Sequence, residues 1–139
     1  MIKTYQNNVH WINKLRRDKR AKYYKPLLLI IVIDFLNDQK YFSPIVPSKI
    51  IVERFEGMKK LIGLPSRLTG GWMPFWHLSG DRPLGVPIWI HYSSNHELVK
   101  KSAFVQSKPK SKKQLLSKVN YALINKKYIS DFENENNRE

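Results

Sequence analysis

The sequence predicts an α+β domain, mostly helical. Helices are expected to pack around one central apolar helix, and a short β-hairpin or sheet completes the fold in a winged-helix-like arrangement. Three observations lead there. Residues 26–36 are apolar throughout except for Asp34. Ile51, Phe55, Met58 and Ile62 recur at helical spacing. Two aromatic-rich stretches, residues 72–78 and 86–92, flank the turn-forming Gly80-Asp81-Arg82-Pro83.

A chain of 139 residues suffices for one domain with one modest core. Hydrophobic residues at 42% and aromatics at 12% exclude a disordered class. Lys and Arg number 25 against 11 Asp and Glu, for a net charge of +14. Four of those acids fall in the last nine residues, so the body is more basic still. Such a field favours polyanions, with nucleic acid, double-stranded DNA included, ahead of an anionic membrane. The absence of cysteine excludes a disulfide scaffold, a thiol nucleophile and a cysteine-based zinc site. Residues 1–22 are charged and do not read as a signal peptide, and the run from Leu27 to Ile33 is too short to span a bilayer. No membrane partner is expected, and a cytoplasmic location fits.

Taken in order, residues 5–22 read as a helix with Val9, Ile12 and Leu15 on one face, Trp11 beside them, and Lys14, Arg16, Arg17, Lys19, Arg20 and Lys22 elsewhere. That charge run reads as a solvated face or, in so basic a chain, as a phosphate contact. Pro26 suits the first turn of the next helix, where its missing N–H costs nothing. The β-branched Ile30 to Ile33 would also suit a strand, but the length of the run favours a core helix through Leu36. Asp34 is expected to face solvent. Tyr41 to Pro47 reads as a connector. Ser48 reads as the N-cap of a helix through Ile62, closed by Gly63, with Ile51, Phe55, Met58 and Ile62 as its core stripe. Leu64 to Gly71 is a loop leading into Trp72-Met73-Pro74-Phe75-Trp76-His77-Leu78. This stretch and Val86 to Tyr92 read as the hairpin. Asn95 is expected to cap a short helix over Leu98 to Lys101. A last helix is expected from Ser111 to Ile129, with Leu115, Leu116, Val119 and Leu123 inward. The domain covers residues 1–130, and 131–139 read as a polar tail.

Catalytic patterns are sparse. His91 and His96, five apart, fit neither a helical metal pair nor the metalloprotease motif, and are expected at a strand end and in a turn. The acids before the tail are scattered, without the clustered carboxylates of a two-metal site. No catalytic residue, metal or cofactor is assigned. Phe75, Trp76 and Trp89 are expected to be ordinary core. Pro74 is read either as a loop or edge-strand proline or as part of a pocket.

Lys25-Pro26-Leu27-Leu28-Leu29, followed by Met73-Pro74-Phe75-Trp76-His77-Leu78 and by Asp81 and Trp89, resembles the sulfur-binding domain of phosphorothioate-dependent type IV restriction endonucleases. The likeness covers roughly residues 20–130. The resemblance implies a reader of DNA in which sulfur replaces a non-bridging phosphate oxygen. It also implies a place in bacterial defence, in the cytoplasm at the nucleoid, as the reader part of a modification-dependent restriction system. Cleavage would fall to a separate HNH nuclease domain or subunit. The implied sulfur pocket is Trp72, Met73, Pro74 and His77. Met73 stands where the family often has tyrosine, and His77 where it commonly has a small residue. The implied DNA contacts are Tyr24 and Lys25 beside the core helix, and Lys100 or Lys101 beyond the second aromatic stretch. Arg20, Lys22, Arg67, Arg82, Lys108 and Lys110 join them as basic candidates.

The chemistry of such a pocket is simple. Sulfur is larger, softer and less hydrated than oxygen. An apolar surface desolvates it at little cost, whereas a phosphate oxygen there would lose a hydrogen bond. Lysines and arginines would attract any DNA, and a neighbouring loop can read base edges. Three other readings compete. They are a domain that binds unmodified or otherwise modified DNA, a basic interaction protein for RNA or an acidic partner, and a nuclease with a dispersed metal site.

Overall fold

The computed structural model describes residues 11, 14, 15, 24–63 and 70–133. The architecture is α+β and mostly helical, with a small antiparallel sheet. Its central element is α1 (Tyr24–Asn37), which buries Leu28, Leu29, Ile31, Val32, Ile33 and Leu36. A helix apolar on nearly every side must be covered by its neighbours. Asp34 is exposed.

The chain then forms β1 (Ile45–Pro47) and α2 (Ser48–Leu61). Ser48 is the first helical residue and not the cap, because its hydroxyl donates to the Val119 carbonyl at 2.6 Å and so ties α2 to the sheet. The buried stripe of α2 is Ile51, Val52, Phe55 and Lys59. Met58 and Ile62, expected inside, are 36% and 54% exposed. Successive helical positions advance by 100°, so the stripe through Ile51 and Phe55 continues to Lys59 and leaves both to one side. Gly63 closes the helix as expected, at φ +78°, with its N–H on the Lys60 carbonyl.

The expected hairpin is not formed. Trp72 to His77 is a helix, α3, and Leu78 to Gly80 is a 3₁₀ turn. The stretch contains no β-branched residue, and Pro74 lies in the first turn, where a missing N–H is harmless. The Phe75 N–H bonds the Gly71 carbonyl at 3.0 Å. The glycine before α3 lets it approach α2, since a Cβ on Gly71 would lie 2.6 Å from the Phe55 Cβ. Only the second stretch is extended, as β2 (Trp89–Tyr92).

The expected helix at Leu98 is instead an extended segment bridged to Tyr92, then a 3₁₀ turn from Lys101 to Ala103. The last helix is also divided. α4 (Lys112–Lys118) is capped by Ser111, whose hydroxyl accepts from the Gln114 N–H at 3.0 Å. β3 (Tyr121–Ile124) follows, then α5 (Ile129–Phe132). β3 is the middle strand, in the order β1–β3–β2, paired antiparallel on both sides. Its alternating burial has a period of two, and this pairing outweighs the helical spacing of Leu115, Val119 and Leu123.

Core packing also moves the expected tail boundary. Phe132 is fully buried, and Asp131 accepts from the Trp11 indole at 2.9 Å. Trp11 meets Tyr128 edge-on at 5.1 Å. Among the described residues, no helix is long and apolar enough to cross a membrane.

Candidate nucleic-acid interface

Helix α3 carries the candidate site and is fastened from below. The Phe75 carbonyl accepts from the Trp89 indole at 3.1 Å and meets His91 Nε2 at 3.0 Å. Since a carbonyl only accepts, Nε2 carries the proton of the neutral His91 ring. Trp76 stacks on His91 with 4.8 Å between centroids. Phe75, Trp76 and Trp89 are therefore core, as expected. His91 lies within β2, not at its end, and is 2% exposed. Burial pushes its imidazole down to about 4, against the opposing hydrogen bond to Phe75. His96 is in a turn as expected, at φ +64°.

Trp76 also receives Phe104, edge-on at 5.0 Å. This contact pins the basic segment after β2 against α3. Gln106 and Ser107 both take left-handed backbone, at φ +62° and +66°, between Phe104 and Lys108. Two consecutive non-glycine residues there are uncommon. Lys101 and Lys108 thus come from either side of an anchored phenylalanine.

On the opposite side, Lys25 Nζ lies 2.6 Å from the Asp81 carboxylate. Asp81 is 3% exposed and sits just after the turn that follows α3. The pair fixes the first turn of α1 beside the end of α3.

His77 is the meeting point. It is half-buried at the last position of α3. Its imidazole is held below the usual range first by burial and then by the charges of Lys25, Lys108 and Lys101, with Asp81 pulling the other way. Three ammonium groups from distant parts of the chain therefore act on one ring. Met73 is also half-buried and lies four residues earlier on the same helical face.

Pro74 does not offer the surface expected of a pocket centre, because it is buried in α3. The half-buried members of the expected pocket are Trp72, Met73 and His77. Tyr24 does not fit a DNA contact. It is 4% exposed, and its ring packs edge-on against Phe55 at 5.1 Å. Among the described residues its hydroxyl is buried without a hydrogen-bond partner, and burial, aided by Glu56, raises its ionisation above the usual tyrosine range. Arg82 is exposed, and its charge acts on Tyr128. Lys100 and Lys110 are exposed. Arg20, Lys22 and Arg67 lie outside the described residues, as does most of the expected helix at 5–22.

Asp81 stands out in the sequence, but its pairing with Lys25 was not expected. The available signal was a solitary acid in the turn after the aromatic stretch. Among the described residues no three metal-ligating side chains gather. Comparison with protein-family models, with curated proteins and with solved structures gives no match for this chain.

Proposed function

We propose that this chain is a DNA-binding module that reads phosphorothioate-modified duplexes on the Met73–His77 face of α3. Lys25, Lys101 and Lys108 hold the phosphate backbone there. The observation that carries this reading is the packing that brings basic segments to α3 beside half-buried His77: the Lys25–Asp81 pair on one side, and on the other Phe104, which lies between Lys101 and Lys108 and rests on Trp76. A phosphate seated at that point meets several cations at once, and neutralising phosphates is the main source of affinity for DNA.

The same face suits sulfur. The Met73 thioether is polarisable and weakly hydrated. In the free protein burial and neighbouring lysines keep the His77 ring neutral at pH 7, so it offers an aromatic edge. The resemblance of Lys25-Pro26-Leu27 and of Met73 to Leu78 to the sulfur-binding domain points the same way. The module itself does not cut, and a nuclease domain or subunit supplies cleavage.

The experiment is a pair of substitutions on this face. Met73→Gln replaces the soft surface by an amide and should erase the preference for a sulfur-bearing duplex while plain-DNA affinity persists. Lys108→Gln should weaken binding to both duplexes alike. A sulfur preference that survives Met73→Gln would overturn the assignment of sulfur reading to this face, and equal affinity of the parent chain for the two duplexes would leave only the second reading, a domain that binds duplex DNA without regard to sulfur. His77 favours that reading, since its N–H can serve an ordinary phosphate oxygen.

A further inference from the structure

The sheet has an outward face that the proposed DNA contact does not use. Its side chains are Ile45 and Pro47 of β1, Ile90 and Tyr92 of β2, and Tyr121 and Leu123 of β3. The pairing aligns Ile45, Leu123 and Ile90 in one row and Pro47, Tyr121 and Tyr92 in the next. Tyr92 and Tyr121 stack at 5.3 Å and 13°. Ile45 is 47% exposed and Ile90 37%. An antiparallel sheet with one wet face normally carries polar side chains there. None of these six residues is charged, in a chain with 25 lysines and arginines. A surface without cations is a poor track for a nucleic-acid backbone.

Size decides what fits. Three strands about 4.8 Å apart, of three or four residues at about 3.3 Å each, give a patch on the order of 10 Å by 13 Å. A stable dimer buries about 800 Å² on each partner, so the same face of a second copy is too small. One helix, about 10–12 Å wide with its side chains, covers it. Exposed lysines flank the strands: Lys49 two residues after Pro47, Lys118 three before Tyr121, and Lys126 two after Ile124.

We propose that the outward face of the sheet docks an amphipathic helix from a partner protein. An apolar stripe lies on the two rows, and carboxylates on its flanks meet the lysines. The helix forms a second layer on the sheet, as α+β folds commonly do within one chain. The site is separate from the Met73–His77 face, and DNA affinity is the control for it.

The test uses the full chain and a synthetic leucine–glutamate peptide of about five helical turns, its leucines on one stripe. A scrambled peptide of the same composition is its partner. Titration calorimetry should show the striped peptide binding at least about tenfold more tightly than the scrambled one. Ile90→Gln and Leu123→Gln, at positions outside the core, should each remove most of that difference and leave DNA affinity unchanged. Failure of both peptides to bind, equal binding of the two, or variants that bind like the parent would overturn the proposal. So would sedimentation showing a dimer broken by the same variants, or an oligothymidine whose binding they abolish.

Discussion

The Lys25 ammonium lies 2.6 Å from the Asp81 carboxylate, across 56 residues of sequence. The pair joins the first turn of α1 to the segment that follows α3, and it fixes one of the three cations around His77. Its side chains are 14% and 2% exposed, so it lies between a surface pair and a buried one. Asp81→Asn removes the formal charge opposite Lys25 and should cost about 1–3 kcal/mol of stability. Urea unfolding of the two proteins at pH 7 measures it.

The cations should be separable by salt. Each phosphate neutralised adds about 0.9 to the slope of log affinity against log salt concentration. Lys101→Gln and Lys108→Gln should each reduce that slope by about one. Arg82→Gln should leave it nearly unchanged, because Arg82 acts on Tyr128 and not on His77. Anisotropy titrations over a range of salt concentrations read all three.

His77 should link DNA binding to pH. In the free protein its imidazole is held below the ordinary histidine range by burial and by three lysines. A bound phosphate brings negative charge and favours the protonated ring. The complex then takes up a proton, and affinity rises as pH falls through the bound-state value, levelling below the free-state value. His77→Ala should flatten this dependence. It should also widen the preference for sulfur, because it removes an N–H that an ordinary phosphate oxygen can use.

His91 should make the fold sensitive to acid. Its folded value is about 4, below the unfolded value of about 6.5. Between those values the unfolded chain binds a proton that the folded one refuses. The histidine therefore costs nothing above pH 6.5, and stability is lost as pH falls toward 4, by about 3 kcal/mol in total. His77, also lowered, acts in the same direction. Urea midpoints at stepped pH should fall across this window, and His91→Gln should reduce the fall.

Much of the helical frame was legible because its signals are local. The run from Pro26 to Leu36 could only be a core element, and Ile51 and Phe55 marked the inner side of α2. The start of α4 near Ser111 was also readable. What misled was the second aromatic stretch paired with the first. Trp72 to His77 lacks β-branched residues, yet its bulk and the turn after it resemble a strand of a hairpin. β3 was hidden because Leu115, Val119 and Leu123 keep helical spacing across a helix, a break and a strand. Only pairing with β1 and β2 on both sides reveals it. The lysines of the candidate site were legible as charges but not as a group. The Phe104–Trp76 contact and the Lys25–Asp81 pair hold their segments against α3, and no local pattern announces either. Pro74 was prominent in sequence, and its burial follows from a helix that the hairpin reading did not contain.

The most direct measurement is a paired titration of one duplex with and without a single phosphorothioate, at two salt concentrations. The account predicts tighter binding of the sulfur-bearing duplex at both, with nearly equal salt slopes, because the lysines see the same charge in each. Equal affinity for the two duplexes would contradict sulfur reading, and binding that does not weaken with salt would contradict the lysine-ringed site at His77.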